Sequence, residues 1–168
     1  MKFLNYLNEE PVYYNPPSDL ENKLRGIGFT GKDLETLLKI IPQYLLGKMS
    51  LERIFDNINT KNAQRAKVLE SYLNKNVVYL LHFHDPISTH HTSQHYLGWA
   101  DDAKRRISEH AVGVGARFTE VAKERNISFE LVRLWLNSGR TYERKLKNQK
   151  SAKDFCRICN PSLESNFK

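Results

Sequence analysis

The chain has 168 residues, 40% of them hydrophobic and 27% charged, with a formal net charge of +7. This balance supports one or two small cores and excludes a disordered polar chain, and the short, interrupted apolar runs exclude a helical membrane protein. No apolar leader follows Met1, so no secretory signal is expected and the cytoplasm is the expected compartment; the only cysteines, Cys156 and Cys159, are too close in sequence to staple a fold by closing a long loop.

Residues 1–75 predict a helical module. Ser18 with Glu21, and Thr30 with Asp33, place a hydroxyl three residues before a carboxylate, the pattern of a capped helix start. Leu20 and Leu24 share a face of the first helix. Leu34, Leu37, Leu38 and Ile41 stripe the second, which Pro42 is expected to end or kink. A third helix from about Ser50 is expected to bury Leu51, Ile54, Phe55 and Ile58, and a fourth from about Thr60 to present Ala66, Leu69, Tyr72 and Leu73. Charge here is nearly balanced, 11 basic residues against 9 acidic, which fits a packing or protein-recruiting module better than a DNA-reading helix-turn-helix.

At residues 74–76 the helical period gives way to Val77–Phe83, a β-branched and aromatic run that predicts a buried strand. A polar loop with Pro86, His90 and His91 follows, then a second strand over 96–99 and a helix over 101–110. Gly113 and Gly115 mark a turn before a helix reaching about Glu124. Residues 127–135 predict a third strand, with Phe129, Leu131, Arg133 and Trp135 alternating against Glu130, Val132 and Leu134. A last helix starts near Arg140. The positive charge gathers in this half, 15 basic residues against 10 acidic over 76–168, and most densely over 140–153, where Glu143 is the sole acid among Arg140, Arg144, Lys145, Lys147, Lys150 and Lys153. Such density attracts a polyanion, although a lysine-rich helix face is often simply solvated.

Val77-Val78-Tyr79, then Tyr96-Leu97-Gly98, Arg105-Arg106 with His110, Gly115-Ala116 with Thr119, and Glu143 on the last helix follow one another in an order that resembles the GIY-YIG nuclease superfamily, in particular its small branch with a Tyr-x-Gly strand and an Arg-Arg-x-x-x-His helix. The resemblance spans about residues 77–150. It implies an α+β fold, a three-stranded antiparallel sheet flanked by helices, preceded here by the helical module; the expected division is 1–75, a nuclease domain over 76–152, and a tail over 153–168. It also implies metal-dependent hydrolysis of phosphodiester bonds, with DNA as the expected substrate. Glu143 would hold one Mg²⁺ or Mn²⁺, whose hard character suits a carboxylate. Arg106 would contact the scissile phosphate, while Tyr79 and Tyr96 would position the attacking water, one of them acting as base. His110 shares the Arg106 face, four residues on, and Asp102 lies four residues before it. Arg105, Arg117, Arg144, Lys145, Lys147 and Lys150 would contact the nucleic-acid backbone.

Taken singly, each of these residues has an ordinary reading: Glu143–Lys147 and Asp102–Arg106 are surface ion pairs by spacing, Tyr79 is core, and His110 is a cation at a helix C-terminus. The sequence also departs from the pattern. Trp99 stands after Gly98, where some relatives carry Lys, and Phe155 lies where many carry Asn, with Asn148 a nearby alternative. The loop between the tyrosines is rich in histidine, with His82, His84, His90, His91 and His95 in or beside it; loop histidines are usually just polar, and metal binding is the alternative. Cys156-Arg157-Ile158-Cys159 is half of a zinc site without a second cysteine pair, so free thiols are expected unless two histidines or a second subunit complete it. The rival to the nuclease reading is a catalytically silent nucleic-acid-binding adaptor using the same basic surface.

Overall fold

Val77–Phe83 forms β1, the central strand of a three-stranded antiparallel sheet in the computed structural model, which describes residues 18–58 and 63–165. Strands β2 (His95–Ala100) and β3 (Phe129–Trp135) flank it in the order β2-β1-β3. Both faces of β1 are covered, so all seven of its residues are buried and the run is apolar with hardly a break. Val77, Tyr79, Leu81 and Phe83 enter a large core on one face; Val78 and Leu80 enter a smaller one on the other. The expected α+β class and three antiparallel strands are present.

The predicted alternation along β3 is wrong beyond Leu131. Leu80 pairs with Arg133 but Leu81 pairs with Leu131, so Val132 is an extra residue on β3 and the register shifts. A bulge of this kind resets which face each later side chain meets. Leu131 and Leu134 therefore share the large core, while Val132 and Trp135 join the small one.

Helices cover the sheet on both sides. On the large-core face lie α5 (Ala103–Ala111) and α6 (Arg117–Glu124), through Ala103, Ile107 and Ala122. On the other face lie α7 (Arg140–Asn148) and the short α8 (Ala152–Phe155), through Leu146, Tyr142 and Phe155. A further short helix, α9 (Ser162–Ser165), follows.

Ahead of the sheet stand α1 (Ser18–Ile27), α2 (Gly31–Leu45), α3 (Leu51–Asp56) and α4 (Ala63–Leu73). Thr30 takes the extended N-cap backbone but its hydroxyl makes no capping bond, whereas Ser50 caps α3 by accepting from the Arg53 N–H at 3.4 Å. Pro42 does not stop α2, which continues to Leu45 and buries the proline. In α3 only Ile54 is buried; Leu51 and Phe55 pack partly, and Ile58 is buried just beyond the helix. Thr60, the expected start of the fourth helix, lies outside the described residues, as do the first 17.

The change of pattern at residues 74–76 marks a change of secondary structure, yet the large core runs without a break from Leu20 and Leu37 to Tyr79 and Leu134. Arg133 of β3 adds an ion pair to Asp19 of α1 at 2.8 Å. Among the described residues, no helix is long and apolar enough to cross a membrane.

Candidate active site

Tyr79 sits in the middle of β1, wholly buried, and its ring lies across β2 over Gly98, the residue opposite it in the ladder. Because β2 is an edge strand, this brings the phenol toward the rim of the sheet. A side chain at Gly98 would occupy the space of the Tyr79 hydroxyl, 2.5 Å from a β-carbon there. The glycine of the Tyr-x-Gly motif is thus required by close packing.

The Tyr79 hydroxyl meets His110 Nε2 at 2.8 Å, and His110 Nδ1 meets Thr119 Oγ1 at 3.1 Å. Counting donors fixes the direction of this chain. The Thr119 hydroxyl donates to the Ala116 carbonyl at 2.9 Å, so it accepts from Nδ1–H; Nε2 is then bare and accepts from the phenol. Burial and the nearby Arg106 charge lower the His110 pKa to about 4, so the ring is neutral at physiological pH. The expected reading of His110 as a helix-end cation is therefore incorrect. Tyr96 completes an aromatic cluster, its ring centroid 4.8 Å from His110 and 6.4 Å from Tyr79.

Arg106 closes the group. Its guanidinium occupies the space above Gly115, where a β-carbon would collide with it, and Gly115 also has φ +107°, a conformation that favours glycine. Arg106 is close enough to Tyr79 to stabilise its anion through charge and hydrogen bonding. Burial opposes this and dominates, with further upward pushes from Tyr96 and Glu143, so the phenol is held well above its ordinary pKa. Its carboxylate partner is Glu109, at 2.9 Å, not Asp102 as the spacing suggested. Asp102 caps α5 instead, accepting from the Arg105 N–H at 3.0 Å. Glu109 was missed in the sequence, where an Arg and a Glu three residues apart on a helix are an ordinary pair; its i, i+3 spacing was the available signal.

Glu143 lies on α7, whose Leu146 packs against the opposite face from Tyr79, yet the carboxylate is near enough for its charge to act on the Tyr79 phenol. Its Oε1 pairs with Lys147 Nζ at 2.7 Å, as the spacing suggested. Glu143 is thus a part-buried carboxylate within electrostatic reach of the Tyr79 phenol, a hard oxygen donor of the type that Mg²⁺ and Mn²⁺ favour.

The expected backbone-contacting residues are dispersed. Arg105 is exposed and paired with Glu109 and Asp102, and Arg117 is exposed and paired with Glu120. Arg144, Lys145, Lys147 and Lys150 are exposed on and just after α7. Arg140, at the start of this helix, stacks over Trp99, 4.5 Å from the ring.

No family model, curated protein or solved structure matches this chain.

The other sheet face holds a second cluster. His82 and His95 face one another across the β1–β2 ladder, with Nδ1 of the first 3.2 Å from Nε2 of the second. Cys156 Sγ lies 3.5 Å from His82 Nδ1, and Cys159 Sγ lies 3.7 Å from that atom and 3.5 Å from His95 Nε2. All four donor atoms fall within 4.8 Å of one another, and the group can hold a metal ion. Burial lowers the His95 pKa to about 4 and raises that of Cys156 to about 11. The expectation of simply polar loop histidines fails for these two, and the expected thiols are free of disulfide but not isolated. His84 is different, ion-pairing with Glu130 at 3.5 Å when protonated.

Proposed function

We propose that the chain is a metal-dependent endonuclease of the GIY-YIG type, hydrolysing phosphodiester bonds with DNA as the favoured substrate. The observation that carries this reading is the Tyr79–His110–Thr119 hydrogen-bond chain with the Arg106 cation beside its phenol end, groups that could serve as a proton path and a phosphate contact. A buried phenol needs a hydrogen-bond partner in any case; what favours a catalytic role is that this chain lies beside the Arg106 guanidinium.

In this mechanism Arg106 binds a non-bridging oxygen of the scissile phosphate and neutralises charge developing there. Tyr79 donates to His110 Nε2 and its oxygen keeps lone pairs, with which it would accept from an attacking water admitted on the Arg106 side of the buried ring. As the water adds to phosphorus, its proton would pass to the Tyr79 oxygen while the phenolic proton shifts to His110. The leaving oxygen would depart with the bonding electron pair and take up a proton from solvent, and His110 would release its proton again to restore the neutral ring. Thr119 holds the imidazole in the required tautomer. Tyr96 fixes the ring positions and the water from the other side. Glu143 would hold Mg²⁺ or Mn²⁺, which when bound supplies Lewis-acid stabilisation of the phosphate and leaving oxygens. Arg144, Lys145 and Lys150 give the field that draws the backbone in.

The test is incubation of purified protein with labelled duplex, single-stranded and branched DNA and with RNA, in Mg²⁺, Mn²⁺ or EDTA. Divalent-dependent cleavage of any of them supports the reading. Binding without cleavage across the panel replaces it with the adaptor.

A further inference from the structure

We propose that His82, His95, Cys156 and Cys159 form a closed, structural Cys₂His₂ zinc site that clips the C-terminal segment onto the sheet face opposite Tyr79.

The spacing of the donors supports zinc. A tetrahedral ion bonded at about 2.3 Å to sulfur and about 2.0–2.1 Å to nitrogen sets sulfur and nitrogen ligands about 3.5 Å apart and two nitrogens about 3.3 Å apart. Three of the four sulfur–nitrogen separations are 3.5, 3.7 and 3.5 Å and the nitrogen–nitrogen separation is 3.2 Å, while the whole group of donor atoms spans 4.8 Å, so a bound ion would draw the remaining donors slightly inward. Ordinary packing of two imidazoles and two thiols does not require four donor atoms to converge on one point. The ring nitrogens point inward from paired strand positions, so the ladder itself fixes their distance.

The Cys156-x-x-Cys159 segment has its own preparation for a metal. Backbone N–H groups of Ile158 and Cys159 hydrogen-bond to the Cys156 side chain, and Asn160 N–H returns to the Cys156 carbonyl at 2.8 Å. These bonds wind the segment into a knuckle that turns both sulfurs toward the two histidines. Cys156 is wholly buried among Val78, Leu80, Leu97, Val132, Trp135 and Leu146, and this small core is a modest anchor for the tail. Arg157 adds a bond to Glu130 at 3.1 Å.

Four protein ligands leave no position for substrate or water, the mark of a structural rather than a catalytic zinc. The ion would join two neighbouring strands to residues more than 60 positions further along the chain. It would also secure the segment that follows α7 and α8 on the chain, tying the end of this helical layer to β1 and β2.

The experiment uses the full chain, purified without a polyhistidine tag under reducing conditions, with metal content read by mass spectrometry and by cobalt substitution. About one zinc per chain is expected, and cobalt should give intense visible d–d bands with thiolate charge transfer, as a tetrahedral thiolate site requires. His84→Ala, which removes a neighbouring histidine outside the cluster, should keep stoichiometric binding; His95→Ala should lose it. Because loss of the site can unfold the tail, Cys159→His tests the donor set itself: it should still bind zinc and show weaker thiolate charge transfer with cobalt. Chelation should open residues after α7 to protease, and added zinc should close them. Failure of the wild type to take up zinc under reducing conditions overturns the proposal, as does a wild-type cobalt spectrum in His95→Ala.

Discussion

Gly98 stands directly across the β1–β2 ladder from Tyr79, and the phenol fills the space where a β-carbon would be. Tyr79 is buried, its hydroxyl held by His110 and its ring beside that of Tyr96, so it has little room to move aside for a methyl group. Gly98→Ala should therefore destabilise the protein by about 1–3 kcal/mol through overpacking, and should break the Tyr79–His110 contact. Urea denaturation of both proteins measures the first effect. An alanine variant as stable as wild type would mean that the ring has room to move.

His110 gives stability a defined pH dependence. Its folded pKa is about 4, below the ordinary value of about 6.5, so the unfolded chain takes up a proton that the folded chain refuses. The contribution is fully present above about pH 6.5 and is lost as the pH falls toward 4, amounting to roughly 3 kcal/mol over that window. The same direction holds for His82 and His95, so the His110 share is isolated by subtracting the curve of His110→Gln. Parallel curves for the two proteins would disprove the assignment.

The sequence made the strand and helix order of the C-terminal half legible because each element carries a local signal. The β-branched run of β1, the Asp102 cap and the Gly113–Gly115 turn are such signals. Properties set by cross-strand register were not legible. Whether Val132 is an extra residue depends on β1 across the ladder, and the facing of His82 and His95 depends on where the loop over 84–94 closes. Cys156 meets a histidine 74 positions earlier, beyond the reach of any local pattern. The convergence of Tyr79, Arg106 and His110 was legible only through motif order, since each alone reads as core or surface.

On the proposed function, Glu109 would compete with phosphate for Arg106. It pairs with both Arg105 and Arg106 from the exposed side of α5. Replacing it with Gln removes a negative charge at the mouth of the site and frees both guanidinium groups. Glu109→Gln should bind nucleic acid more tightly than wild type at low salt, with the gain fading as salt screens it. Weaker binding in a filter or anisotropy assay would show that Glu109 orients Arg106 for its task.

The exposed basic residues of the last long helix predict a salt slope. Each neutralised phosphate on duplex DNA contributes about 0.9 to the fall of log K with log salt. Replacing Arg144, Lys145 and Lys150 together by Ala should reduce that slope by roughly 2–3. Lys147 is left in place because it holds Glu143. Affinity for a nonspecific duplex across a salt series measures this, and an unchanged slope would place the interface elsewhere.

Glu143 and Arg106 separate enzyme from adaptor. Glu143→Gln keeps the shape of the side chain while removing its charge, so divalent-dependent cleavage should collapse. Nucleic-acid binding should hold or improve because a repelling carboxylate is gone. Arg106→Ala removes the cation beside Tyr79, lowering the cleavage rate by about 10² to 10³ if it stabilises charge in the transition state, and it should weaken binding as well. The two variants thus have opposite effects on affinity and the same direction of effect on rate. Single-turnover cleavage and anisotropy on the same preparations, with circular dichroism to verify folding, resolve the two quantities. If Glu143→Gln cuts as fast as wild type, the carboxylate is not the metal ligand. If Arg106→Ala loses affinity but cuts bound substrate at the wild-type rate, Arg106 belongs to docking alone.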